Sequence, residues 1–137
     1  VVADGGSASQ IPTLVLPVYN TVEIKLSSPD VIHSFWIPGF LMKMDVIPGQ
    51  EGDDRNAFQV KTTKEGVYKG KCTELCGTYH SRMLFNVEVV SDADYQAYLE
   101  KQKQRGFSAS EPLLGGALAV TQVGLSDDHN DSHGGEE

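Results

Sequence analysis

The chain is poor in the residues that usually mark a chemical site. Among 137 residues there are two cysteines, one tryptophan, three methionines and four histidines. No apolar run approaches the roughly 18 residues of a membrane span, so this stretch is not expected to cross a bilayer. No charged-then-apolar leader opens it, and it starts at Val1, which reads as a soluble piece processed or cut from something longer. Bases are scarce, with 11 Lys and Arg against 19 Asp and Glu, a formal net charge of −8. A nucleic-acid binder carries a basic face, so nucleic acid is not an expected partner. No internal repeat is present.

What is there supports a core. Hydrophobic residues make up 39%, with 14 glycines besides, which is close to the globular average. The length suits one domain. The acidity is unevenly spread. Residues 126–137 hold five acids and no base, which leaves 14 acids and 11 bases in the remainder, a net of −3. A polar, self-repelling end of this kind does not bury enough surface to fold. The expected organisation is a disordered leader over 1–10, a folded domain over 11–105 and a flexible acidic tail over 106–137.

Within the folded part, short β-branched and alternating segments recur every eight to twelve residues. They are Thr13–Val18, Val22–Leu26, the apolar and aromatic stretch Val31–Phe40, broken by Pro38 and Gly39, Phe58–Thr62, Val67–Lys71 and Met83–Val90. Tyr19-Asn20, Ser27–Asp30, Ile47–Gln50 and Glu65-Gly66 supply the turns. About six such strands predict an all-β sandwich or barrel. One short helix follows, with Ser91 as N-cap and Asp92 and Asp94 at its positive end. Tyr95, Tyr98 and Leu99 form its apolar stripe, and Gly106 stops it.

The soft ligands cluster in Cys72-Thr-Glu-Leu-Cys76-Gly-Thr-Tyr-His80-Ser-Arg-Met83. Two thiols, an imidazole and a thioether within one inter-strand loop form a donor set for a soft metal. The other histidine in the folded part is His33, since His129 and His133 lie in the tail. Zinc has little use for Met, so Met83 favours copper. One Cys, two His and a weak Met suffice for mononuclear copper, and a second thiolate suggests two metals bridged by sulfur. The residues alone leave other readings open. Two cysteines four apart also form a disulfide or act in thiol exchange. They could equally staple a zinc module, while His33 and Met83 serve as core packing.

The pattern C-T-E-L-C-G-x-x-H-x-x-M closely resembles the binuclear copper (CuA) motif of subunit II of cytochrome c oxidase. D-V-I-H-S-F-W-I-P around His33, M-K-M-D-V-I-P-G at Met42–Gly49 and E-G-V-Y-K-G-K-C before Cys72 match the same family. The likeness runs from about Pro12 to Gln104. It implies a cupredoxin-like Greek-key sandwich or barrel. It also implies two copper ions, bridged by the sulfurs of Cys72 and Cys76. His33 and His80 would bind one ion each, Met83 would be a weak ligand to one, and the Glu74 carbonyl a ligand to the other. The Glu74 carboxylate would face a magnesium or manganese ion at the contact with subunit I, where Lys43 and Asp45 would also lie. Asp30 and other surface acids would meet a basic cytochrome c.

The implied role is the subunit through which electrons enter a terminal oxidase. It receives them from cytochrome c and passes them to haem in subunit I, with no catalytic residue of its own. The implied location is the outer face of the bacterial cell membrane or the mitochondrial intermembrane space. Attachment to the membrane would run through parts of the full-length subunit outside this fragment. Departures are the two membrane helices and the tryptophan-rich cluster of the family, neither of which is in this sequence. A mononuclear cupredoxin carrier and the CuA domain of nitrous oxide reductase are the alternatives.

Overall fold

Alternating apolar and polar residues become paired strands here because each run is short and ends at a turn-forming residue. The structure, a computed structural model, describes residues 11–28, 30–49, 56–77 and 83–108. The leader expected over 1–10 and the tail from 109 onward lie outside the described residues, as do Tyr79 and His80. Among the described residues there are seven strands: β1 Thr13–Pro17, β2 Thr21–Lys25, β3 His33–Ile37, β4 Met42–Val46, β5 Ala57–Lys61, β6 Gly66–Cys72 and β7 Leu84–Val90. Helix α1 spans Asp92–Gln104.

A five-stranded sheet has the order β1-β7-β6-β3-β4, and β2 pairs with β5 in a second sheet. β1 runs parallel to β7, and the other pairs are antiparallel. Leu16, Val18, Ile37, Val87 and Val89 form the buried core, with Leu14, Phe35, Tyr68 and Phe85 against it. The described residues thus form the expected all-β class with one C-terminal helix.

The strand count exceeds expectation by one, for a local reason. The apolar stretch from Val31 yields only His33–Ile37 as strand. Pro38 then opens a 3-10 turn over Pro38–Phe40. Met42–Val46 returns antiparallel to β3, pairing Phe35 with Met44. Its alternation M-K-M-D-V was legible, but the turn made it a separate strand.

That turn ends in an unusual residue. Leu41 is left-handed (φ 53°) and 96% exposed, and its N–H donates to the Pro38 carbonyl at 3.0 Å. A Cβ in this conformation is strained, and glycine relieves it. Since the side chain packs on little, Leu41→Gly is expected to stabilise the chain by about 0.5–1 kcal/mol, read as a raised urea midpoint.

The helix is capped at both ends. Ser91 Oγ accepts from the Asp94 N–H at 3.1 Å and donates to Asp94 Oδ2 at 2.8 Å. At the far end the Gly106 N–H reaches the Lys103 carbonyl at 2.9 Å, and the Phe107 N–H reaches that of Gln102 at 3.0 Å. Gly106 takes φ 81°, so this is a Schellman closure with glycine where the left-handed turn requires it. Tyr95, Tyr98 and Leu99 line a groove with Leu14, Ile24 and Phe85. Gln102 continues the same stripe and is buried, donating to the Tyr98 hydroxyl at 3.3 Å.

Candidate metal centre

Antiparallel pairing brings the start of one strand to the end of its neighbour. β3 begins at His33 and β6 ends at Cys72, and Phe35 pairs with Cys72 in the ladder. The Cys72 N–H donates to the Met83 carbonyl at 3.0 Å, which closes the loop base just before β7. One edge of the sheet therefore gathers donors that lie 50 residues apart in sequence.

The two thiols are not joined in a disulfide and stand 3.6 Å apart, Cys76 buried and Cys72 half-buried. His33 Nδ1 lies 3.8 Å from Cys72 Sγ, and Met83 Sδ lies 3.2 Å from Cys76 Sγ. The Glu74 carbonyl oxygen is 3.4 Å from Cys72 Sγ. The ligand atoms of His33, Cys72 and Cys76 all lie within 4.8 Å of one another. Metal–sulfur bonds of about 2.3 Å place two sulfurs on one tetrahedral ion about 3.8 Å apart, so the observed spacing suits shared sulfurs. The imidazole and the thioether approach different sulfurs, one at each end of the pair.

Of the predicted ligand set, His33, Cys72, Glu74, Cys76 and Met83 come together. His80 lies outside the described residues. The surrounding aromatics divide. Phe35 stacks on Phe85 at 4.8 Å, next to the cluster in the ladder, and Trp36 faces the opposite side of the sheet, where it meets Lys71. Tyr68 packs on Phe40 and not on the cluster.

Electrostatics tune the pair unequally. Burial raises the Cys72 thiol, but backbone hydrogen bonds at Ser34 and Glu74 and contacts to His33 and Cys76 outweigh it and bring it to about 7. The Ser34 N–H itself points at Cys72 Sγ at 3.5 Å. Burial and the neighbouring Cys72 push Cys76 up to about 11. Cys72 is thus the more readily deprotonated of the two sulfurs, and binding a metal would displace the protons that remain.

Sequence reasoning missed the partner of His33. Its Nε2 lies 2.8 Å from Asp30 Oδ1, and Asp30 also accepts from the Ser28 hydroxyl at 3.0 Å and the Val31 N–H at 2.7 Å. Burial disfavours the Asp30 charge, yet these hydrogen bonds hold its carboxyl below the usual value. In turn burial opposes the charge on His33, and Asp30 outweighs it, raising the imidazole. A carboxylate on the far ring nitrogen orients the imidazole and directs Nδ1 at the sulfurs. The signal was the D-x-x-H spacing, read only as a surface acid near a ligand. Its oxygens turn inward, with 16% of the side chain exposed.

Comparison with known proteins places this geometry. Residues 9–90 match the family model described as cytochrome c oxidase subunit II, periplasmic domain. The chain is 54% identical over 101 residues to a probable cytochrome c oxidase subunit 2 of Streptomyces coelicolor, covering 74% of this chain and 30% of that protein. It is 48% identical over 99 residues to the probable subunit 2 of Mycobacterium leprae, covering 71% and 28%. The chain thus spans less than a third of the length of these relatives. Among solved structures it is similar to the periplasmic domain of subunit II of cytochrome oxidase from Bradyrhizobium japonicum. That likeness has a TM-score of 0.63 and 34% identity, over 70% of this chain and 66% of that one.

Proposed function

The chain belongs to the family of cytochrome c oxidase subunit II periplasmic domains, and from that premise we propose that its thiol–imidazole cluster holds a binuclear copper centre that relays single electrons in a terminal oxidase. The observation that supports this most is the two-ended sulfur pair. Cys72 and Cys76 stand 3.6 Å apart with no disulfide between them, with His33 at one sulfur and Met83 at the other. Copper held there by these residues would supply one-electron redox chemistry. The chain supplies rigidity. His33 is held by Asp30, Cys72 by the Ser34 N–H and the ladder to β3, and Met83 by the start of β7. Ligands anchored on strands move little when the charge changes, so little reorganisation opposes transfer.

His80 completes the proposed set as the second imidazole. The Glu74 carboxylate, on an exposed residue beside the cluster, is free to reach a magnesium or manganese ion shared with subunit I. The donor in this reading is cytochrome c and the acceptor is haem in subunit I. The domain works on the outer side of the cell membrane, as a relay and not a catalyst.

Metal analysis with visible and paramagnetic resonance spectra tests the reading. Two coppers per chain, a purple colour and hyperfine structure from one electron shared equally by two nuclei are expected. One copper per chain, an intense blue colour and single-nucleus hyperfine structure would make it a mononuclear carrier. Met83→Leu is expected to keep both coppers and raise the potential. The shift should not exceed about 59 mV, a tenfold change in a one-electron equilibrium, because the thioether is a weak ligand. Protein-film voltammetry reads it, and an unmoved potential would remove Met83 from the ligand set.

A further inference from the structure

We propose that residues 112–125 of this chain seat in the apolar groove between helix α1 and the two sheets, as an intramolecular strap over the rings beside Cys72. The inference does not depend on a bound metal.

The groove is formed by described residues. Leu14 of β1, Ile24 of β2, Phe35 of β3 and Phe85 of β7 line it from the sheets, and Tyr98 and Leu99 line it from α1. Its volume is about 420 Å³, and no charged side chain lines it. Leu14, Phe35 and Phe85 pack against the core and stay only half-buried. A concave, uncharged surface of this size is where apolar ligands and chain segments seat.

Composition selects the occupant. A charged segment would lose its hydration in such a groove without gaining a partner. That disfavours 50–55, with Glu51, Asp53, Asp54 and Arg55, and 126–137, with five acids. Residues 78–82 carry His80 and Arg82. Residues 1–10 have four apolar side chains, and three of them, Val1, Val2 and Ala3, stand farthest from Pro12. Residues 112–125 are fourteen with no charge and eight aliphatic side chains, among them Leu113, Leu114 and Leu118. All of these stretches lie outside the described residues, and only the last has the chemistry of the groove.

Position selects it too. Gly106, left-handed at φ 81°, ends α1, and the Phe107 N–H is tied back to the Gln102 carbonyl at 3.0 Å. The chain thus leaves α1 at the level of its apolar stripe. A helix rises about 1.5 Å per residue, so Tyr95, at the far end of the groove's helical side, lies about 11 Å from Gln102. Extended chain covers about 3.3 Å per residue, so residues 109–112 alone span about 13 Å. Leu113 onward therefore reaches the whole groove. A tether this short gives an effective concentration on the order of millimolar, which a separate partner seldom matches. Seated there, the segment covers the Phe35–Phe85 ring pair beside Cys72 in the ladder and keeps water from it.

Hydrogen exchange of the full chain, read by peptide mass spectrometry, tests the strap. Amides of 112–125 are expected to exchange at least about tenfold more slowly than in the isolated peptide of that sequence, since burying one leucine is worth that much. Leu114→Asp with Leu118→Asp should abolish the protection and leave that of β6 and β7 unchanged. p-Benzoylphenylalanine in place of Leu118 locates the contact. On irradiation it is expected to join Leu14, Tyr95 or Leu99 of its own chain. Exchange at the free-peptide rate overturns the proposal. So do cross-links confined to residues outside the groove. Cross-links between light and isotope-labelled copies also overturn it, and give the groove to a second chain. Neither readout involves copper, so the strap and the metal centre stand or fall separately.

Discussion

Replacing Cys72 with serine is expected to abolish the proposed binuclear centre while leaving the metal-free fold intact. Serine is nearly the same size, so the ladder to Phe35 and the loop base at Met83 survive. Its oxygen is a hard donor that keeps its proton at neutral pH, and it does not bridge two soft ions. Second-shell changes alone cost metal sites 10–100-fold in affinity, so loss of a bridging ligand should exceed about 100-fold. Copper content should fall below two per chain, and the sulfur-to-copper visible bands should change identity. Cys76→Ser should give the same result, because in the proposed centre both sulfurs would be shared by the two ions. If either variant retained two coppers and the shared-electron spectrum, its cysteine would not be a bridge. Thermal unfolding of the metal-free variants, unchanged from the parent, would show that the effect belongs to the metal and not to the fold.

Gly70→Ala should be the most damaging change to the scaffold. Gly70 is buried in the middle of β6, and a Cβ there would overlap the outer ring atoms of Phe85. The ring has little room to retreat, since its other face stacks on Phe35 at 4.8 Å and an angle of 19°. Overpacking of a formed core costs about 1–3 kcal/mol and occasionally more, and a direct ring overlap belongs at the upper end. Denaturant unfolding should show a loss of about 3 kcal/mol. Adding Phe85→Leu to Gly70→Ala should recover part of that loss, because the shorter side chain vacates the space. Purely additive losses would mean the two positions do not share the volume. Phe35 sits between this contact and Cys72 in the ladder, so a milder effect on the metal centre should accompany the loss of stability.

Some of the site was open to reading from the sequence. Cys72, Glu74, Cys76, His80 and Met83 occur within one loop, and local spacing carries their chemistry. His33 was reached by elimination and by resemblance, since nothing local ties it to a loop some 40 residues away. Asp30 was seen but its bond to His33 was not, because spacing places it near His33 without saying which way its oxygens turn. The strands were read from alternation, and the break at Pro38 and Gly39 with them, but the return of Met42–Val46 as a strand of its own was not.

By itself, the sequence determined the donor types, the strand rhythm, the caps of the helix and membership in a family. These are local matters of chemistry and periodicity. The tertiary structure alone decided that His33 faces Cys72 while Met83 faces Cys76, and that Asp30 holds the imidazole. Each of those depends on strand register. A slip of one residue would turn every side chain of a strand to the other face, and only the packing of Phe35, Phe85 and Ile37 into a common core selects the register observed.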